Sequence, residues 1–143
     1  VTCVECIMQL YHAEKVVLAC APTNTAADLF VERIAKYAVP KRHMLRLMAY
    51  SRPFNAVSKD VLPYTLHDGA GFKSAMLTDI RSKRIVIGTL AMAAKLHNLG
   101  VSRDFFETIF VDEAGQALEP ESLAPIAPLL GPDAQLVIAG DPK

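Results

Sequence analysis

The sequence is poor in the features that mark secreted, membrane-spanning and disordered proteins. Its 143 residues include three cysteines, an odd number that argues against a disulfide framework and predicts a reducing, intracellular environment. The longest apolar runs, 85–90 and 123–130, fall well short of the roughly 18 residues that cross a bilayer. No basic segment precedes an apolar one at the start, and 52% hydrophobic residues exclude a disordered chain. We therefore expect one globular domain without a membrane span or secretory signal.

The cysteines and histidines do not form a recognisable metal site. Cys3 and Cys6 make a C-x-x-C pair, but a zinc site needs a second pair of ligands, and the four histidines are scattered singly. Free cysteine usually behaves as a small hydrophobic residue. We therefore expect these thiols to lie buried or half-buried on a helix.

The net charge of zero hides two oppositely charged parts of the chain. Residues 1–103 hold 14 basic and 7 acidic side chains, a net charge of +7, whereas residues 104–143 hold 1 basic and 8 acidic, a net charge of −7. One stretch without a carboxylate contains five basic residues, Lys41, Arg42, Arg46, Arg52 and Lys59. A second cluster contains three, Arg81, Lys83 and Arg84. Such patches are compatible with a polyanion partner, although charge alone favours an ordinary solvated surface.

Four short apolar runs predict buried strands, at 16–21, 85–90, 108–111 and 135–139. Continuous apolar runs are typical of strands covered on both faces, and helical spacing between them indicates crossovers. The fold class is therefore predicted to be α/β with a parallel sheet.

Three regions between these strands have their own expectations. A helix follows the first strand, with Thr23, Asn24 or Thr25 as its N-cap. A helix near Glu119 should be short or kinked, because two prolines, at 125 and 128, would interrupt it. Residues 51–80 are broken by proline and glycine, and we predict an irregular insertion over the sheet edge, with short helices at 58–62 and 72–80.

Small, polar or acidic residues follow each predicted strand at once. In a parallel sheet these positions share the carboxyl edge, where ligands bind. The four sets are Pro22-Thr23-Asn24-Thr25, Gly88-Thr89, Asp112-Glu113 and Gly140-Asp141. The Asp112 carboxylate can hold Mg²⁺, which prefers oxygen ligands, and Glu113 can take a proton from an attacking water. Helix capping by these residues, and an ordinary strand role for Thr89, remain open alternatives.

The same residues resemble helicase motifs Ia, Ic, II and III, in that order. The matching segments are Ala21-Pro22-Thr23-Asn24-Thr25-Ala26-Ala27-Asp28, Ile87-Gly88-Thr89-Leu90, Val111-Asp112-Glu113-Ala114-Gly115-Gln116 with Ala117-Leu118-Glu119-Pro120-Glu121, and Ala139-Gly140-Asp141-Pro142-Lys143. The chain looks like the first RecA-like domain of a superfamily 1 helicase of the Upf-one-like branch. Within that branch it most resembles the Mov-ten and Armitage RNA helicases.

The resemblance implies a role for each matching residue. Asp112 would coordinate Mg²⁺, Glu113 would deprotonate the hydrolytic water, and Gln116 and Asp141 would link the phosphate site to nucleic acid. ATP would lie against Asp112, Glu113, Gly140 and Asp141. Pro22, Thr23, Asn24 and Thr89 would touch the sugar-phosphate backbone of single-stranded RNA.

The sequence contains no G-x-x-x-x-G-K-[ST] loop, which cradles phosphates in P-loop NTPases. The resemblance therefore implies that residues 1–143 are part of RecA-like domain 1, beginning just after that loop and its strand. The fragment alone should then be inactive. The whole enzyme would couple ATP hydrolysis to movement on RNA in silencing or mRNA decay, with a second RecA-like domain, Argonaute-type partners and a cytoplasmic or ribonucleoprotein-granule location.

Two other functions remain open. The missing loop and the basic stretch 41–59 favour a non-catalytic nucleic-acid-binding or scaffold module that kept the RecA-like fold. The second alternative is a DNA helicase of the same superfamily, because no residue pattern here recognises the 2′-hydroxyl that distinguishes RNA from DNA.

Overall fold

Five parallel strands form one sheet in the computed structural model, which describes residues 2–140. The strands are β1 (Val17–Ala21), β2 (Met44–Arg46), β3 (Ile85–Thr89), β4 (Thr108–Val111) and β5 (Gln135–Ile138). Their order across the sheet is β2-β3-β1-β4-β5. The predicted parallel α/β class is confirmed.

Helices cover both faces of this sheet. They are α1 (Thr2–His12), α2 (Asn24–Ala35), α3 (Leu77–Arg81), α4 (Leu90–Ala94) and α5 (Glu119–Leu129). Buried residues of α1 and α2 share one core cluster, while those of α3, α4 and α5 belong to the cluster on the other face. No helix within residues 2–140 has the length and apolar character needed to cross a bilayer.

The central strand β1 explains why the apolar runs of the sequence are continuous. All five of its residues have no exposed surface. Val17, Ala19 and Ala21 pack in the cluster of α1 and α2, whereas Leu18 and Cys20 pack in the opposite cluster. Burial raises the pKa of Cys20 to about 12, so this thiol stays neutral.

The edge strand β2 is an element that the sequence did not predict. It has three residues, Met44–Arg46, and pairs with β3 through Met44 opposite Ile85 and Arg46 opposite Ile87. A run this short that ends in arginine carries no strand signal of its own. Its pairing depends on β3, which follows about forty residues later.

The helix that begins at Glu119 is longer than the sequence predicted. Helix α5 has 11 residues and continues through Pro125 and Pro128, with Pro120 in its first turn as expected. Each internal proline removes one backbone hydrogen bond. Pro125 and Leu129 are buried, and the helix packs on α4, so burial offsets the missing bonds.

Residues 51–80 are irregular but are packed against the sheet. They contain 3-10 turns at Phe54–Ala56 and Leu62–Tyr64, then helix α3. The helices predicted at 58–62 and 72–80 are therefore wrong in their bounds. Phe72 is buried in the cluster of α1 and α2, so the segment contributes to the core. Its description as an insertion stays a prediction.

A substitution at Gly131 should test the packing between the turn after α5 and the turn before β4. A Cβ atom there would lie 2.4 Å from the Arg103 carbonyl oxygen, which forces a backbone shift. We expect Gly131→Ala to lower the free energy of unfolding by about 1–3 kcal/mol in urea titrations. Gly71→Ala is the control, because nothing lies within 4 Å of its added Cβ. Equal stability of the two variants would contradict this packing.

Glu107 should stabilise the fold in a pH-dependent way. Its carboxylate accepts hydrogen bonds from Lys15 Nζ and the Val16 backbone N–H, both at 2.9 Å. These bonds, chiefly that from Lys15, hold the pKa of Glu107 below its usual value. A lowered folded-state pKa gives stability that is present at neutral pH and is lost as pH falls through that pKa.

We therefore expect Glu107→Ala to cost less than about 1 kcal/mol of unfolding free energy at neutral pH, because the side chain is partly exposed. The difference from wild type should shrink in acid. Urea titrations across pH measure this, and a difference that stays constant down to about pH 3 would refute the role given to the carboxylate.

Candidate functional site

The strand order brings the predicted polar residues to one edge of the sheet in two neighbouring groups. β1 lies in the centre, with Ala21 beside Thr89 of β3 and Cys20 beside Val111 of β4. Thr89 and the residues after β1 therefore form one group. The residues after β4 and β5 form the other, since Val111 pairs with Ile138. Asp141, which we predicted to belong to this second group, lies outside the described residues.

Asp112 lies directly beyond β4 and is half-buried. Its backbone N–H donates to the Cys20 carbonyl at 2.9 Å, which extends the pairing of β4 with β1 by one residue. Its Oδ1 accepts a hydrogen bond from the Glu113 N–H at 3.0 Å. None of the ion pairs formed among residues 2–140 involves this carboxylate.

The negative charge of Asp112 acts on the Cys3 thiol in the first turn of helix α1. Burial raises the pKa of Cys3, and the negative charge of Asp112 raises it further. Cys3 is the second residue of α1.

Glu113 has a backbone conformation that is rare for a residue with a β-carbon. Its φ of 53° and ψ of 34° are left-handed, which costs about 1–3 kcal/mol. Gln116 stabilises it twice: its backbone N–H donates to the Glu113 carbonyl at 2.9 Å, and its Nε2 donates to Glu113 Oε2 at 2.9 Å. Gln116 and Glu113 therefore form one hydrogen-bonded pair.

The loop after β4 packs tightly on the end of β5. The Ala114 N–H donates to the Ala139 carbonyl at 3.0 Å. A Cβ atom on Gly140 would lie 3.0 Å from the Ala114 nitrogen and 3.3 Å from the Gly115 nitrogen. Glycine at 140 therefore lets the chain after β5 lie directly against the backbone that carries Glu113.

Thr23 and Thr89 both act as helix caps. Thr23 Oγ1 accepts a hydrogen bond from the Ala26 N–H at 3.2 Å, which selects it from the three predicted caps of α2. Thr89 Oγ1 accepts from the Met92 N–H at 3.3 Å and caps α4. Each hydroxyl keeps its own hydrogen to donate, so capping does not prevent a contact with phosphate. Pro22 is half-buried and Thr23 is exposed beside it.

The sequence left open that the basic stretch between residues 41 and 59 is an ordinary solvated surface. In the structure, part of this stretch is buried. Arg46 is buried and its Nε donates to Asp28 Oδ1 at 2.9 Å. Arg52 also pairs with Asp28, through Nη2 and Oδ2 at 2.6 Å. The stretch itself contains no acidic residue, but Asp28 of helix α2 pairs with two of its arginines in the folded structure.

This cluster also contains Asn24, a predicted RNA-contacting residue. Arg46 Nη2 donates to Asn24 Oδ1 at 3.0 Å. Asn24 and Asp28 are four residues apart on α2 and so share a helix face. The sequence spacing alone could indicate that Asn24 and Asp28 share a helix face. It could not show that Arg46 and Arg52 contact that face.

The donor chemistry fits one divalent cation bound together with a phosphate ligand. Within residues 2–140 there is no group of three His, Cys, Asp or Glu side chains that could hold a metal alone. Asp112 supplies one carboxylate without a basic ion-pair partner in this part of the chain. Mg²⁺ is commonly held by one or two carboxylates, with phosphate oxygens and waters completing its shell.

The comparisons with known proteins agree with this geometry. The family model described as AAA domain matches residues 72–143. The chain is 39% identical to MOV-10 of Gallus gallus over its whole length, and 37% identical to the RNA helicase Mov10l1 of Mus musculus over 99% of it. It is 30% identical to armi of Drosophila melanogaster over 89% of the chain.

The chain spans 16% of the length of MOV-10 and 12% of each of the other two. Helicase motifs, a parallel sheet and these similarities point to one family. The chain belongs to the AAA domain family, and its resemblance to the Mov-ten helicases of superfamily 1 is confirmed.

Proposed function

We propose that this chain is the part of an ATP-dependent RNA helicase that joins ATP hydrolysis to RNA binding. The observation that carries the proposal is the strand order, which places Asp112 and Glu113 after β4, next to Pro22, Thr23 and Asn24 after β1. A motor that moves on a nucleic acid needs such adjacent sites, because hydrolysis at one must change contacts at the other.

In the hydrolytic half, Glu113 is the general base and Asp112 is the Mg²⁺ ligand. The ion would neutralise charge on the phosphates of bound ATP. Glu113 accepts a proton from the attacking water, and the hydrogen bond from Gln116 orients its carboxylate. Gly140 and Asp141 complete the phosphate side, and Gln116 and Asp141 connect it to the nucleic acid.

In the nucleic-acid half, Pro22, Thr23, Asn24 and Thr89 contact the backbone of single-stranded RNA. Hydroxyl and amide donors suit phosphate oxygens, which accept hydrogen bonds from any sequence. Contacts of this kind let an enzyme move along RNA without reading its bases.

The rest of the protein completes the nucleotide site. No phosphate-binding loop occurs in the sequence, and β5 is the sheet edge beside Asp112 and Glu113. Leu136 and Ile138 on β5 are 37% and 61% exposed, unlike the buried residues of β1. We propose that a further strand carrying the loop pairs there, and that a second RecA-like domain closes on ATP.

RNA is the proposed substrate because Mov10l1 carries that activity in its name. Movement from 5′ to 3′, a role in RNA silencing or mRNA decay, Argonaute-type partners and a cytoplasmic or granule location belong to the same proposal. They rest on the family resemblance of motifs Ia, Ic, II and III.

Glu113→Gln should separate binding from hydrolysis in the full-length protein. The amide keeps the size of the carboxylate but cannot accept the water's proton, so we expect RNA-stimulated ATP turnover to fall at least about a hundredfold. ATP and RNA affinities should change little. Steady-state phosphate release and equilibrium binding measure the two effects.

Glu119→Gln is the matched control, since Glu119 is exposed in the first turn of α5 and should keep wild-type turnover. Near-normal hydrolysis by Glu113→Gln would refute the base assignment. RNA binding that weakens with salt, in a wild-type protein that hydrolyses no ATP, would instead favour the non-catalytic binding module. Stimulation by single-stranded DNA but not by RNA would favour a DNA helicase.

A further inference from the structure

A largely buried ion-pair cluster, with the exposed Asn24 at its edge, lies beside the loop that follows β1. It contains Asn24 and Asp28 of α2, Arg46 of β2, and Arg52. Arg52 binds both carboxylate oxygens of Asp28, through Nη1 at 3.1 Å and Nη2 at 2.6 Å. The side chains of Arg46, Arg52 and Asp28 are only 0%, 11% and 14% exposed. Two guanidinium groups and one carboxylate leave a net charge of +1.

The cluster determines which way the Asn24 amide points. Arg46 Nη2 lies 3.0 Å from the Asn24 side-chain oxygen, and Arg52 Nη1 lies 3.4 Å from it. Guanidinium groups donate hydrogen bonds and cannot accept them. The amide atom that faces both arginines must therefore be the acceptor Oδ1, and the NH₂ group is turned away from them.

We infer that Arg46, Arg52 and Asp28 are positioning residues, which hold the Asn24 amide so that its NH₂ group donates to an RNA phosphate. This inference rests on the proposed function. Asn24 is exposed, and it is the first residue of α2 next to the exposed cap Thr23. Phosphate oxygens only accept hydrogen bonds, so an amide with its donors outward matches them and one with its oxygen outward repels them.

Burial of Arg46 restricts how the Asn24 amide can turn. A buried arginine must be fully paired, because an unpaired buried charge is strongly destabilising. Each of the three Arg46 nitrogens donates one hydrogen bond, to Asp28, the Leu47 carbonyl and Asn24. Rotating the Asn24 amide would place its NH₂ group against Arg46 Nη2, two donors facing each other. The RNA-contacting loop is thereby tied to the edge strand β2.

Two substitutions at Asn24 test the orientation in the full-length protein. Asn24→Asp keeps an acceptor for both arginines but presents no donor to phosphate. We expect its RNA affinity to fall at least about tenfold, with no loss of thermal stability. Asn24→Ala should lose similar affinity. Retained affinity in Asn24→Asp would overturn the inference, because the NH₂ group would then be dispensable.

A double-mutant cycle tests whether Arg52 acts through Asn24. Arg52→Gln leaves Asp28 paired with Arg46, whereas replacing Arg46 itself risks unfolding, so Arg52 is the safer position. We expect Arg52→Gln to weaken RNA binding at least about threefold in wild type but less than about twofold in Asn24→Ala. Equal loss in both backgrounds would mean a direct electrostatic contact and would overturn the inference.

Further readouts separate positioning from general damage. Arg52→Lys keeps the charge but not the two-pronged geometry, so it should behave as Arg52→Gln does. Turnover at saturating RNA should stay unchanged while the RNA concentration for half-maximal stimulation rises. Arg81→Gln is the matched control, since exposed Arg81 ends α3 before the amino end of β3.

The outcomes distinguish this inference from the proposed function. A wild-type protein without RNA-stimulated hydrolysis or RNA binding overturns both. An active wild type that loses turnover in Glu113→Gln, combined with an additive cycle at Asn24 and Arg52, supports the helicase and overturns the positioning role alone.

Discussion

Backbone hydrogen bonds on both sides of β1 are the constraint on which the candidate site depends. β1 pairs with β3 on one side and β4 on the other, and Asp112 continues that pairing through the Cys20 carbonyl. Because parallel strands keep their carboxyl ends together, the loops after three strands emerge side by side. The apolar packing of β1 on both faces fixes this register, since a slip of one residue would exchange its two buried faces.

Local strain at Glu113, the proposed general base, is supported by close backbone packing. Glu113 adopts a left-handed conformation that β4 alone would not impose. It persists because Gln116 binds its carbonyl and because the next residue, Ala114, is bound to the end of β5. A strained carboxylate residue whose neighbours hold it in place is typical of functional sites, where geometry matters more than local stability.

On the other side of β1, ion pairs and hydrogen bonds between arginines and α2 hold the structure in place. Arg46 lies in β2, a strand without the apolar signature of the other four, and its burial is offset by Asp28 and Asn24. The edge strand is thus attached to α2 by hydrogen bonds as well as by packing. This also explains why a sequence stretch rich in arginine does not present all of its charge to solvent.

The sequence by itself determined the four longer strands, the parallel α/β class and the helicase motifs, because each depends on a short apolar run and the residues beside it. Only the tertiary structure decided that Met44–Arg46 forms an edge strand, that α5 continues through two prolines, and that Asp28 pairs with Arg46 and Arg52. These features join segments about twenty to forty residues apart. Their energy comes from pairing and burial against distant partners, which local propensity does not encode.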